Sequence, residues 1–418
     1  MRRKRKMRRL LLGMLFPTAV MTALIACGDD LSIQVPAVSY QDLAQPIGGY
    51  GAQEDNEEDN KEENEEKEYN EENKVPPVQE TTSLSTEEGV EQGGNAALEE
   101  TDGPEVVTIT ISAAGDTALG NHKEQDYGYS FRQAYDQAAD DSYFFENVYD
   151  IFSQDDMTIV NLEGPLTDSE NAREGQVYSI KGDPGYAGIL TRGSVEAVSM
   201  GNNHRLDYGT QGSDDTVAAL EKEGIVYAFE ENTGIYEVKG IKIGIVSVNE
   251  VSQGAAVEKT IQEGITGLKE QGADVILVCC HWGVEGEYEP EDYQKSLGKK
   301  CIDWGADLVI GHHPHVLQGI EEYQGKYIVY SLGNFCFGAN RNPTDKDCMI
   351  FQQTFTFVDG EKQEESSVRV IPCSVSSTSS RNDFKPTPAK GQEALRILEK
   401  INGYSKAFGV EFDQEGYR

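Results

Sequence analysis

Gly311-His312-His313-Pro314-His315 places three imidazoles within four positions, with a proline between the last two. That is not a core-packing pattern. The stretch before it, Ala306-Asp307-Leu308-Val309-Ile310, is a short apolar run that reads as a buried strand. Gly311 is expected to break that strand. The histidines then sit in a loop at its carboxyl end, where open α/β sheets bind ligands. Imidazole is the commonest side chain for binding transition metals, through a neutral nitrogen. The chain has six histidines and half of them are here, so a chance His-rich loop is a poor account of the stretch.

Working outward, other short apolar runs also end in polar groups. Residues 106–112 alternate Val, Thr and Ile and lead into Ala113-Ala114-Gly115-Asp116. Residues 158–160 lead into Asn161-Leu162-Glu163-Gly164, and 195–200 into Gly201-Asn202-Asn203-His204, with Asp207-Tyr208-Gly209 beyond. Residues 274–280 end in His281-Trp282-Gly283, followed by Glu285 and Glu287. Each signal is weak alone, since Gly-Asp is usually a turn and Asn-Asn an ordinary loop pair. An amide such as Asn203 is a hard oxygen ligand, and an adjacent His204 can serve as a proton donor.

Helical patterns separate these runs. One spans 144–152 behind Ser142 as a cap. Another starts near Ser213, with Asp214 and Asp215 in its first turn, and stops at Gly224. A third carries Val257, Ile261, Ile265 and Leu268 and ends at Gly272. The fourth begins near Pro290 and aligns Tyr293, Leu297, Cys301 and Trp304. Alternating strands and helices predict an α/β fold, a mostly parallel sheet sandwiched by helices. Parallel strands bring their carboxyl ends to one edge. A single cleft can then collect Asp116, Glu163, Asn203, His204, His281, His313 and His315. Mixed oxygen and nitrogen ligands suit Mn, Fe or Zn.

Past the histidines the pattern turns β-rich. A hairpin is expected over 320–330 around Gln324-Gly325, then antiparallel strands over 349–358 and 368–373. The domain is expected to run over 106–375, with a C-terminal segment at 376–418 that carries a helix over 389–401.

The N-terminus reads differently. Residues 1–9 carry seven Lys or Arg, and 10–26 are apolar up to Leu24-Ile25-Ala26. This predicts a signal peptide over 1–26. Cys27 follows directly and resembles the lipidated cysteine of a bacterial lipobox. The alternative is an uncut anchor, although Pro17 and the modest apolar length argue against a span of about 20 residues. Either way the rest is expected on the extracytoplasmic face of the membrane. Residues 54–73 are nearly all Glu, Asp, Asn and Lys, so 27–105 is expected to be a disordered acidic tether. A binding tail for cations or basic partners is the other reading. The net charge of −37 excludes nucleic-acid binding through a basic surface. Apart from Cys27 there are six cysteines, with no Cys-x-x-Cys spacing.

Taken together, the motifs resemble the CapA family, named for poly-γ-glutamate capsule biosynthesis, within the calcineurin-like metallophosphoesterase superfamily. The likeness covers about residues 107–340. It rests on Gly115-Asp116, Asn161-Leu162-Glu163, Asn202-Asn203-His204 with Asp207-Tyr208-Gly209, His281-Trp282-Gly283, the triple-histidine stretch, and Ser331-Leu332-Gly333-Asn334-Phe335. It implies a metallophosphatase-like layered sheet flanked by helices, with a β-rich C-terminal extension and a pair of divalent metal ions. By resemblance, Asp116, Asn203, His281, His313 and His315 are metal ligands, and Glu163 bridges the metals. His204 is the catalytic histidine. Asn202, Asp207, His312 and Asn334 stand near substrate. The first motif reads Asp116-Thr117-Ala118 where the superfamily has Asp-x-His, so one metal lacks that ligand.

Two functions are open at this point. One is a lipid-anchored, metal-dependent hydrolase or transferase for poly-γ-glutamate or another anionic surface polymer, acting on a phosphoester or a γ-glutamyl amide. The other is a non-enzymatic lipoprotein that binds polymer or a membrane-bound polymer synthase and aids export. The missing histidine favours the second.

Overall fold

The computed structural model describes residues 103–176 and 178–418. The expected signal peptide, Cys27 and nearly all of the acidic tether lie outside the described residues. Among the described residues, no helix is long and apolar enough to cross a membrane.

The larger sheet grows around Val106–Ala118, whose β-branched residues alternate between faces. This strand pairs antiparallel with Asp347–Val358 on one side and parallel with Met157–Leu162 on the other. Beyond Met157–Leu162 lie Ala197–Ser199 and Val226–Ala228, both parallel. Beyond Asp347–Val358 lies its antiparallel partner Glu361–Ser374. The short Asn334–Phe337 pairs with the end of Val106–Ala118.

A second sheet begins where Lys239 (φ +51) and Gly240 (φ +77) turn the chain back on itself. Two consecutive left-handed residues make the hairpin turn whose twist suits flanking strands. The turn joins Gly234–Val238 to Ile241–Asn249. Val275–His281 and Leu308–His312 follow in parallel register, then Lys326–Val329, with Ile320–Tyr323 at the edge.

Side-chain alternation stacks the layers. Ile243, Ile245, Leu277 and Ile310 face a core shared with Ile109, Ile111 and Ile159 of the larger sheet. On the opposite face, Val246, Val248, Val278 and Val309 pack with Ile261, Ile265, Leu268, Leu297 and Cys301 of the helices Val257–Glu270 and Asp292–Trp304. The larger sheet's outer face, with Val160, Leu162 and Val198, is covered by Phe144, Phe152, Ile189, Leu190 and Leu220. The expected α/β layers flanked by helices, with a β-rich C-terminal part, are therefore present. They are split between two mixed sheets rather than gathered into one mostly parallel sheet. The hairpin at Lys239-Gly240 starts a new layer, and the late antiparallel strands return to pair with the first.

Local differences have local causes. The strand expected to stop at Ser112 runs on to Ala118, with an irregularity between Ala113 and Asp116. A Cβ on Gly115 would stand 2.0 Å from the Gly333 carbonyl oxygen, so glycine is required there for close approach and not for a turn. Gly311 is likewise no strand breaker. It pairs with Cys280, and His312 pairs with His281. A Cβ at Gly311 would meet the Tyr330 oxygen at 2.0 Å. The helix expected over 144–152 is instead a 3-10 turn at Asp141–Phe144 and a single turn at Tyr149–Phe152, because Asp140, not Ser142, supplies the cap. The helix expected from Ser213 starts at Gly209, which leaves Asp214 and Asp215 beyond its first turn. The six cysteines of the described residues are free and buried.

The C-terminal helix Gly391–Ser405 inserts Ile397, Leu398 and Ile401 into the core between the sheets. Asp347 holds it, accepting from Arg396 at 3.0 Å and Lys400 at 2.8 Å. Burial alone would raise the Asp347 carboxyl, but Arg396 and Lys400 outweigh it and hold it below the usual carboxylate range. A depressed pKa stabilises the fold above the unfolded value of about 4, and that gain is lost as pH falls through the folded value. Asp347→Ala is expected to cost about 2 kcal/mol at neutral pH and progressively less in acid. Urea unfolding at both pH values checks this.

Candidate metal centre

The polar strand ends meet at one rim, and both sheets contribute. From the larger sheet, Asp116 is wholly buried and its Oδ1 accepts from Asn161 Nδ2 at 2.9 Å. Glu163, 1% exposed, follows Met157–Leu162, and its backbone N–H donates to the Thr117 carbonyl. Asn202 is buried below the rim, where Nδ2 donates to the Leu162 carbonyl at 2.8 Å and to Asn161 Oδ1 at 3.1 Å. It therefore shapes the loop that carries Asn203 and His204.

His204 is aimed from behind. Its Nδ1 lies 2.7 Å from Asp207 Oδ2, which also accepts from the Ile180 N–H at 2.8 Å. Asp207 is fully buried, so it stands behind the imidazole rather than on a substrate-facing wall. An Nδ1–H donated to Asp207 leaves Nε2 pointing forward, 3.8 Å from Glu163 Oε1.

From the smaller sheet, His281 is buried, with Nε2 3.0 Å from Asn203 Oδ1. His312 is buried with Nδ1 3.2 Å from Asp116 Oδ1, without the alignment of a hydrogen bond. It too stands behind the rim. His313 donates its backbone N–H to Asp116 Oδ2 at 3.2 Å. His315 Nδ1 lies 3.1 Å from Asp116 Oδ2 and 3.0 Å from Asn334 Oδ1, and its Nε2 is 3.6 Å from Glu163 Oε1.

The charges are strongly coupled. Burial pushes Glu163 up to about 7. Burial works against a proton on His315, but Glu163 and Asp116 outweigh it and lift that imidazole to about 10. Burial raises Asp116 too, yet His312 and His315 bring it well below the usual range. Burial, then the neighbouring His315, pushes His313 down to about 4, which leaves it neutral. Burial likewise keeps His281 neutral. At His204 burial lowers the pKa, but Asp207 and Glu163 reverse this and raise it above the ordinary value.

These residues fit a divalent cation. Glu163 Oε1 and His313 Nδ1 are buried without hydrogen-bond partners. Such orphaned atoms are costly unless something else satisfies them. One ligand atom each from Asp116, Glu163 and His281 lie within 4.8 Å of one another, as do atoms from Glu285, His313 and His315. Metal–ligand bonds of about 2.0–2.3 Å put two ligands of one ion up to about 4.5 Å apart, so both groups are near the required size.

Beside the rim opens a cavity of ≈ 440 Å³ lined by His122, Tyr178, His204, Glu285, His315 and Asn334 among others. Two contributors were not singled out as site residues from sequence. Asn161 is the amide hub that links Asp116, Asn202 and, at 3.5 Å, His281. Its signal was its place in a strand-end motif. Glu285 lies on an exposed loop, and its only signal was its position four residues after His281.

Comparison with known proteins follows the same residues. Positions 110–339 match the family model described as bacterial capsule synthesis protein PGA_cap. The chain is 30% identical over 262 residues to the PGA biosynthesis protein CapA of Bacillus subtilis, covering 58% of this chain and 67% of that protein. It is 26% identical over 280 residues to the capsule biosynthesis protein CapA of Bacillus anthracis, covering 58% and 63%. A Mycobacterium tuberculosis protein, whose description includes the words polyglutamine synthesis accessory protein, is 26% identical over 210 residues, covering 43% and 55%. The chain thus spans about two thirds or less of the length of these curated relatives.

Proposed function

This chain belongs to the bacterial capsule synthesis protein family PGA_cap, and from that premise we propose that it is a metal-dependent hydrolase or transferase for an anionic capsule polymer, poly-γ-glutamate foremost. The observation that carries this reading is His204, aimed by buried Asp207 toward Glu163 beside two residue groups sized for cations. Asp116, Glu163, Asn203 and His281 would hold one ion of the Mn, Fe or Zn class, and His313 and His315 a second. Bound there, such ions supply Lewis acidity that polarises a phosphoryl or acyl group and offsets developing negative charge.

The chain's own residues do the rest. Asp207 fixes the His204 tautomer, so the transferable proton sits on Nε2 at the cavity. The raised pKa keeps that proton available near neutrality. Nε2 donates it to the leaving oxygen of a phosphoester or the leaving nitrogen of a γ-glutamyl amide. Asn334 steadies His315 from the side, with Oδ1 on Nδ1 and Nδ2 on the His315 carbonyl. A chain with net charge −37 meets an anionic polymer through bound cations rather than a basic surface. A lipid on Cys27 and an acidic tether would hold the domain off the outer face of the membrane.

The test uses the purified full chain, stripped by chelation and reloaded with Mn or Zn, on an aryl phosphate and on γ-glutamyl polymer. Product from one of them only when metal is supplied is the expected result. Inertness on both with ions bound sinks the proposal. A second reading, a non-enzymatic partner of a membrane-bound polymer synthase, draws on Ala118 standing where a ligand histidine was expected and on the accessory description of the mycobacterial relative.

A further inference from the structure

Glu285 faces the triple-histidine loop from a segment outside every strand end. The chain after His281 turns through left-handed backbone at Gly283 (φ +85) and Gly286 (φ +79), with Glu285 between them. The Gly283 N–H donates to Tyr293 Oη at 2.6 Å, and the Gly286 N–H donates to the Pro314 carbonyl at 2.9 Å. Gln318 Nε2 donates to the Glu287 carbonyl at 2.8 Å. Pro314 lies between His313 and His315, so this backbone clamp sets Glu285 beside both rings. One atom of the Glu285 carboxylate and one ring nitrogen from each histidine lie within 4.8 Å of one another.

Two independent observations point to a ligand. His313 (φ +96) and His315 (φ +57) adopt backbone conformations that side chains with a Cβ rarely take. Strain of this kind persists where the surroundings over-determine it, and it clusters at ligand clamps. In addition, His313 is 5% exposed and its Nδ1 has no hydrogen-bond partner. Against His315, Phe337 lies tilted with ring centroids 4.9 Å apart, and it packs with Ala118 and Ile180.

We propose that Glu285, His313 and His315 form an outer cation site, distinct from an inner one at Asp116, Glu163 and His281. Two imidazoles and a carboxylate are a donor set for first-row divalent transition ions with coordination positions left open. Glu285 and His315 both line the cavity, so the open positions are accessible to a carboxylate or phosphate of substrate. The inner group is wholly buried, whereas Glu285 is exposed. The inner ion is therefore retained and the outer ion exchanges. This inference rests on the cation-site reading given above.

The test titrates the chelator-stripped full chain with Zn(II) alone by calorimetry and measures zinc content after dialysis. Two binding events are expected, one of which survives dialysis. Glu285→Gln should keep the retained ion and weaken the other at least roughly tenfold, the lower end of what loss of a supporting partner already costs. Glu287→Gln, an equally exposed carboxylate two residues on, should change neither. A single event in the native chain, two events unchanged by E285Q, or an equal loss in E287Q each overturns the outer site and leaves an inner ion with His204 standing. A native chain that takes up no zinc overturns both readings.

Discussion

Replacing Glu163 with glutamine is expected to abolish most of the stabilisation that zinc confers while changing the metal-free protein little. Glu163 is 1% exposed, and its Oε1 has no hydrogen-bond partner. A buried acceptor left unsatisfied costs about 1–3 kcal/mol, more when charged. Glutamine removes that charge but also its attraction for His315 and His204, whose Nε2 atoms lie 3.6 and 3.8 Å from Oε1, so the two effects oppose each other and the stripped variant changes little. The loaded protein is where the loss shows. A ligand at a thousandfold its Kd stabilises a fold by about 4 kcal/mol, and without the carboxylate the inner site loses its central anionic ligand. Thermal melts of both proteins with and without zinc read the two effects separately. An E163Q variant that gains as much from zinc as the native chain contradicts the placement of the ion.

Turnover should respond most to His204. With the imidazole truncated to alanine, hydrolysis is expected to fall by about 10² to 10⁴, the usual contribution of a positioned acid or base. Bound metal should stay put, because His204 belongs to neither cation group, whereas the melting temperature should fall, because truncation leaves the buried Asp207 carboxylate without its imidazole partner. Asp207 holds both His204 and the Ile180 N–H, so its loss should alter the His204 titration as well as the rate. The same variant separates the two functional readings in cells. Unchanged polymer output from His204→Ala, together with loss of output when residues 27–105 are removed, would favour the accessory role over the enzymatic one.

Much of the rim was legible in the sequence because most contributors end a hydrophobic run. Asp116, Glu163, His281 and the histidine triplet all follow short stretches of Val, Ile and Leu, and a polar residue after such a run is easy to see. The division into two sheets was not legible. It depends on Ser112 pairing with Gln352 and Ile111 with Gln353, contacts that no local period encodes. Glycine was misread twice for the same reason. At Gly115 and Gly311 the cause is a carbonyl from a distant segment, Gly333 or Tyr330, standing where a Cβ would go. Asp207 and Asn202 looked like cleft residues by proximity to His204. Only burial reveals that they brace it from beneath. Glu285 was hidden for the opposite reason, since an exposed glutamate in an acidic chain carries no signal until its loop is seen clamped to Pro314.

The two leaves of the sandwich each carry part of the candidate metal centre. Asp116 and Glu163 belong to one leaf, and His281 and the histidine triplet to the other. An ion gripped from both acts as a rivet through the leaves. Where such metals are scarce, the molecule would loosen first at this seam, so its mechanical integrity would track the same supply that its chemistry would draw on.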